Sequence, residues 1–184
     1  MSLGYELLRC ELGLRPLQDL PNLAISLLED GDDSPGLRQL ASYVGVPYDA
    51  DGLAAVHRKI LREICGDLPS ARESSLLLLE ELLDAIAQGL IDPFEGASRI
   101  IDDIYFPGGW HRLTEKYVGD SLGIERMYGD ADAIRDLLVG HVSWEAHRSN
   151  VELVESAKAD IKSEAIRLAA AKPWRLRGPS HGAA

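Results

Sequence analysis

Asp92-Pro93-Phe94-Glu95-Gly96-Ala97-Ser98-Arg99-Ile100-Ile101-Asp102-Asp103-Ile104-Tyr105-Phe106-Pro107-Gly108-Gly109-Trp110 carries a helix start, an apolar face, an acidic face and a stop. Asp92 is placed to accept a hydrogen bond from an early amide. Pro93 suits the first helical position, where no N–H is needed, and Glu95 can reach back as in a capping box. Phe94, Ala97, Ile100, Ile101, Ile104 and Tyr105 recur at helical spacing, while Glu95, Arg99, Asp102 and Asp103 fall to the other side. Pro107-Gly108-Gly109 ends the run. The spacing predicts a helix over 93–106.

Just upstream, Ser70-Ala71-Arg72-Glu73 matches a capping box and opens a helix over 70–88. Leu76, Leu77, Leu78, Leu79, Leu82, Leu83, Ile86 and Ala87 leave it a narrow polar strip of Glu80, Glu81, Asp84 and Gln88. Such a helix belongs at the centre of a bundle. The connection to the next helix is very short, so the two are expected to pack antiparallel.

Towards the N-terminus, Tyr5, Leu7, Leu8, Leu12 and Leu14 fit a short helix or an extended arm equally well, and a short buried helix is expected from Asn22. Ser34-Pro35 starts another, with Leu37, Leu40, Ala41 and Val44 as its apolar stripe and Gly45 as its stop. Asp49 and Asp51 offer caps for a helix whose apolar face is Leu53, Val56, Ile60, Leu61 and Ile64, closed by Gly66. Downstream, residues 111–129 read as a loop with a helical turn or two. Asp130 is expected to cap a helix with Ile134, Leu137 and Leu138 inward. A last helix is expected from Ser149 to Lys172-Pro173, with Val151, Val154, Ala157, Ile161, Ala165 and Leu168 on one stripe. No alternating run is long enough for a sheet. The reading is an all-α, single-domain bundle of about six to eight helices over residues 1–172, with a flexible tail over 173–184.

The chain has 184 residues, 46% hydrophobic and 27% charged, an ordinary globular composition able to bury a core without disulfides or metals. Its net charge of −11 is the main deviation. Nucleic-acid binding depends on neutralising phosphates with Lys and Arg, so dispersed basic residues in so acidic a chain point away from it, and from anionic membranes. A basic protein is the natural electrostatic complement, although acidity also simply aids solubility. Cys10 and Cys65 make no Cys-x-x-Cys and are expected as buried or half-buried free thiols. No window approaches the roughly 18 apolar residues of a membrane span. We expect a soluble, cytoplasmic protein.

Gly119-Asp120-Ser121-Leu122 spells the signature of the GDSL esterases, but it follows no strand and no Asp-x-x-His comes after it, so a base for Ser121 is missing. His141, Glu145 and His147 come nearest to a metal cluster. The familiar His-Glu-x-x-His is absent, and His141 continues the Leu137/Leu138 stripe. His57 lies on an apolar face beside Ile60 and Leu61 and reads as a satisfied core histidine. Trp110-His111 reads as an aromatic plug sooner than a pocket wall. The acidic clusters at Asp30-Gly31-Asp32-Asp33, Asp49/Asp51 and Asp130/Asp132/Asp136 lack the Gly and Glu spacing of a calcium loop; capping by Asp51 and Asp130 explains two of them. No phosphate loop occurs. No cofactor is expected.

Asp102-Asp103-Ile104-Tyr105-Phe106-Pro107 resembles the Asp-x-Ile-Tyr-Tyr-Pro stretch of the colicin and pyocin DNase immunity proteins, over six residues and with Phe106 in place of a Tyr. The resemblance implies a small acidic helical protein that neutralises a basic nuclease, with Asp102, Tyr105 and Phe106 in contact. Tyr105 also continues the Ile101/Ile104 stripe, which would make it core. The leucine-rich helix and acidic helix are also similar to uncharacterised helical proteins of bacteria. We therefore expect a non-enzymatic protein that binds a protein partner through Asp102, Asp103, Tyr105, Phe106 and Trp110. One alternative is a small hydrolase or a metal or small-molecule binder using Ser121, His111 and the His141/Glu145/His147 region. Another is a structural subunit of a homo-oligomer.

Overall fold

A computed structural model of the chain describes residues 3–47, 49–113, 116–140 and 148–176. Among the described residues there are helices and turns and no strand, and the fold is all-α. The packing divides into two compact units, one up to Leu78 and one from Leu79.

The first unit holds α1 (Leu3–Glu11), a 3-10 turn (Leu17–Asp19), α2 (Leu20–Glu29), α3 (Pro35–Ala41), α4 (Ala50–Cys65) and the first part of α5 (Ala71–Gln88). The ambiguous N-terminal stretch is helical because Leu3, Tyr5, Leu7 and Leu8 all find a core to enter. On α4, Leu53, Val56, His57, Ile60 and Leu61 follow the i, i+3, i+4, i+7, i+8 spacing and are buried. His57 takes an apolar-face position and is satisfied there: its Nε2 lies 2.9 Å from the Leu7 carbonyl oxygen. A carbonyl only accepts, so Nε2 carries the proton. Its Nδ1 faces the Glu11 carboxylate at 3.8 Å. Glu6, 4% exposed, enters the same layer with Arg15 Nε at 3.0 Å and Arg9 Nη1 at 3.6 Å, which offsets part of the cost of burying its charge.

Local chemistry sets the ends. Ser34 Oγ accepts from the Leu37 amide at 3.3 Å ahead of Pro35. Asp49, and not Asp51, caps α4 by accepting from Gly52 at 3.0 Å, leaving Asp51 within the first turn. Gly66, at φ +82°, closes it. Three apolar expectations fail at element ends: Val44 lies past the end of α3, Ile64 sits on the last turn of α4, and Cys65 ends the helix; all three are exposed. Cys10 is buried, and burial pushes its thiol up to about 12. On α5, the Ser70–Glu73 box forms as expected, with Ser70 N–H donating to Glu73 Oε2 at 2.8 Å and Glu73 N–H to Ser70 Oγ at 3.3 Å. Leu77 points outward, and Ser74 and Ser75 take its expected place inside.

The second unit holds the rest of α5, then α6 (Pro93–Arg99), a π-helical turn (Ile100–Tyr105), a 3-10 turn (Trp110–Leu113), α7 (Glu125–Leu138), α8 (Asn150–Ala171) and α9 (Pro173–Leu176). Helices α7 and α8 pack along each other and α6 packs on both. Asp92 Oδ1 accepts from the Phe94 and Glu95 amides, and its Oδ2 pairs with Lys158 of α8 at 2.8 Å. Burial opposes the Asp92 charge, but Lys158 and the two amides outweigh it and hold the carboxyl below its ordinary value. Glu95 does not complete the expected box; it pairs with Arg99 at 2.5 Å, one turn on.

Helix α7 starts at Glu125 behind Ile124, so Asp130 lies inside it and caps nothing. Burial of Met127, Ala131 and Ile134 carries the helix through Gly129. Leu138, expected inward, is exposed at its end. Helix α8 opens on a Ser149–Glu152 capping box and buries Ile161, Ala165 and Leu168, while Val151 in its first turn is exposed. The expected tail loses its first residues to order. Pro173–Leu176 is helical and Trp174 is 5% exposed. Lys172 Nζ and Trp174 Nε1 both reach the Glu80 carboxylate, at 2.6 and 3.2 Å.

Two helical glycines predict opposite outcomes for one substitution. A methyl group on Gly96 would collide with Cγ1 of the fully buried Ile86, whereas one on Gly129 meets nothing within 4 Å. Gly96→Ala should destabilise the second unit by roughly 1–3 kcal/mol through overpacking. Gly129→Ala should stabilise it by up to about 1 kcal/mol through helix propensity. Urea unfolding of both variants checks the pair, and equal midpoints would contradict it.

Candidate functional site

The site expected from the sequence lies where α6 runs into the π-helical turn. The Phe106 amide donates to the Ile101 carbonyl at 3.2 Å, five residues back. This wider turn holds Ile100, Ile101, Ile104 and Tyr105 inside together while Asp102 and Phe106 stay outside. Widened turns of this kind are frequent at functional positions. Beyond it, Gly108 donates to Ile104 O at 2.9 Å, and a side chain there would collide with that oxygen and the Trp110 ring, so only glycine fits.

Of the five expected contact residues, Asp102 and Phe106 are exposed and Asp103 is half-buried. Tyr105 and Trp110, by contrast, are buried, at 1% and 3% exposed. Tyr105 is core, and its hydroxyl accepts from the Gly119 amide at 2.9 Å. Trp110 is the expected plug, and its carbonyl accepts from Ser121 Oγ at 2.9 Å.

The GDSL tetrapeptide thus has an architectural role. Gly119 holds Tyr105, Asp120 Oδ2 accepts from the Lys116 and Tyr117 amides at 2.6 and 3.0 Å, and Ser121 holds the Trp110 turn. Gly119 sits at φ +92°, and a Cβ would press on the Glu125 backbone at 3.0 Å. A nucleophile needs a base in hydrogen-bond reach; the Ser121 hydroxyl is buried and donates to a carbonyl.

The exposed part of the site is aromatic and acidic. Phe106, 43% exposed, stands with its ring centroid 5.5 Å from His111 and 6.4 Å from Tyr128 of α7. Tyr105 lies 5.2 Å from Phe106 and 6.0 Å from Tyr128, edge-to-face with both. Asp102 pairs with Arg135 of α7 at 3.1 Å. Burial first, and then the charge of Asp132, raises the Tyr128 phenol above its ordinary value, with Asp102 adding to it. Leu113, Tyr117 and Val118 are exposed in the segments after the rim. Sequence reasoning missed Tyr128, Asp132 and Arg135 as site residues because it started α7 too late. Read from Glu125, the three fall at i, i+4 and i+7 on one face.

A second feature is a charged cleft of about 630 Å³ between α7 and α8, lined by Glu125, Arg126, Asp130, Asp160, Glu164 and Arg167 among others. Burial, and then Asp160, raises the Asp130 carboxyl above its ordinary value; Arg167 holds Glu164 below its own. His141, Glu145 and His147 lie outside the described residues. Among the described residues, no group of three or more His, Cys, Asp or Glu is placed to hold a metal ion, and no helix is long and apolar enough to cross a membrane. No family model matches the chain, and no curated protein or solved structure matches it either.

Proposed function

We propose that the protein acts by binding another protein, a basic one, through the rim formed by Asp102, Asp103, Phe106, His111 and Tyr128. The observation that carries this reading is the exposure of Phe106, a large aromatic side chain left in solvent beside acidic residues, on a chain of net charge −11. An exposed aromatic anchor ringed by charge is the composition of an interaction surface. The acids favour a positively charged face and speed the encounter with it. Inhibition of a basic nuclease, as the immunity-protein resemblance implies, is one instance of this function, and a nuclease encoded beside the protein and inhibited by it would support that instance.

The test is capture from the protein's own cell extract, followed by competition. A basic protein should be retained by the wild type, lose at least about tenfold in affinity when Asp102 and Asp103 are both changed to Lys, and weaken with added salt. Changing Asp30 and Asp32 to Lys in the first unit alters the net charge equally and should leave retention intact. Retention that is indifferent to the rim reversal would refute the reading.

A further inference from the structure

We infer that the rim engages its partner through a cationic side chain, an arginine or a lysine, seated on the rings of Phe106, His111 and Tyr128 with Asp102 and Asp132 as counter-charges. The inference rests on the protein-binding reading above and names the group that the rim takes. Three observations lead to it.

The rings do not stack. Phe106 stands at 44° to His111 and 67° to Tyr128, so neither ring covers it face to face, and it stays 43% exposed. Buried Tyr105 supports the group from beneath at 71° to Phe106. An accessible aromatic face attracts a cation through the ring quadrupole. Second, the charge nearby is negative. Asp102 is exposed, and Asp132 is exposed on α7 one turn beyond Tyr128. An anionic or purely apolar group would gain the ring contact but not the charge contact. Third, the chain already makes this type of contact in the next segment, where Lys116 Nζ lies 5.0 Å from the centre of the Tyr117 ring.

Arg135 defines the geometry further. Its guanidinium meets Asp102 at 3.1 Å, so one acid of the rim is partly committed within the protein. An incoming arginine would compete for Asp102 with its own planar fork and stack on Phe106 at the same time, which a lysine ammonium does less well. The favoured seat is therefore for arginine.

The test uses the full chain and a synthetic hexa-arginine peptide, with hexa-lysine and a neutral Gly-Ser peptide alongside, followed by titration calorimetry and by NMR of the aromatic resonances. Net charge alone will draw a polycation to this protein, so the decisive variant keeps the charge. Phe106→Ala should weaken hexa-arginine binding about fivefold, and Phe106→Trp should restore it or improve on the wild type. Asp132→Asn should weaken it, whereas Asp32→Asn, with the same change of charge in the first unit, should not. Phe106 is exposed, so loss of binding through misfolding is unexpected, and an unchanged circular dichroism spectrum verifies this. Equal affinity of Phe106→Ala and wild type, or aromatic resonances that do not move with peptide, would overturn the inference. A captured partner that depends on Asp102 and Asp103 but not on Phe106 would overturn this seat and leave the protein-binding function standing. A Phe106-dependent arginine seat with no retained partner would do the reverse.

Discussion

Tyr105→Ala is expected to lower the stability of the second unit by about 3–5 kcal/mol, the largest effect of any single change in the rim region. Tyr105 is 1% exposed, carries the Gly119 amide on its hydroxyl at 2.9 Å, and supports Phe106 and Tyr128 by edge contacts. Removing the ring leaves a cavity under all of them and a buried amide without its acceptor. Tyr105→Phe separates the two contributions: the ring stays, the Gly119 N–H loses its partner, and the cost should fall to roughly 1–3 kcal/mol. Denaturant unfolding followed by tryptophan fluorescence is the suitable measurement. Trp110, Trp144 and Trp174 all lie beyond Leu78, so the emission reports on the second unit. If Tyr105→Ala unfolded within about 1 kcal/mol of wild type, Tyr105 would belong at the surface, where the immunity-protein resemblance puts it.

Glu80→Ala should be the second most damaging change, at about 2–4 kcal/mol. Its carboxylate, only 15% exposed, receives both the Lys172 ammonium and the Trp174 indole N–H. Deletion strands a buried indole donor and a lysine that holds the left-handed position (φ 42°) ending α8. Glu80→Gln keeps an acceptor for Trp174 but gives up the charge and the acceptor for Lys172, so it should lie between wild type and Glu80→Ala. A red shift of tryptophan emission in native Glu80→Ala would report release of Trp174, and an unshifted spectrum with unchanged stability would show that packing alone holds the C-terminal turn.

Much of the fold was legible because it rests on local chemistry. Ser34, Ser70, Asp92 and Ser149 cap where their side chains and the following Pro or Glu say they should, and α8 ends at Lys172 as expected. The illegible parts depend on partners far along the chain. Leu77 and the Ser74/Ser75 pair exchange faces because α5 is apolar over most of its circumference, and periodicity cannot choose which arc faces inward. The expected loop over 111–129 ran too far because glycine at 129 lowers helix propensity, yet burial of Met127 and Ala131 on either side outweighs it. The helical pattern put Tyr105 on the Ile101/Ile104 stripe and left Phe106 off it, which is the burial found, although the resemblance put both residues in contact.

The π-helical turn has a consequence for how the rim could vary. A π-turn is a helix with one residue inserted, and the widening absorbs the extra residue, so deleting a single residue from 100–105 restores the ordinary i to i−4 register while the residues after the turn keep their faces. One codon therefore separates a widened turn from a smooth helix. A deletion within the regular turns of α6 has no such slack and would turn the rim by about 100°, so the widened turn is where this segment can change its length and keep its interaction surface in place.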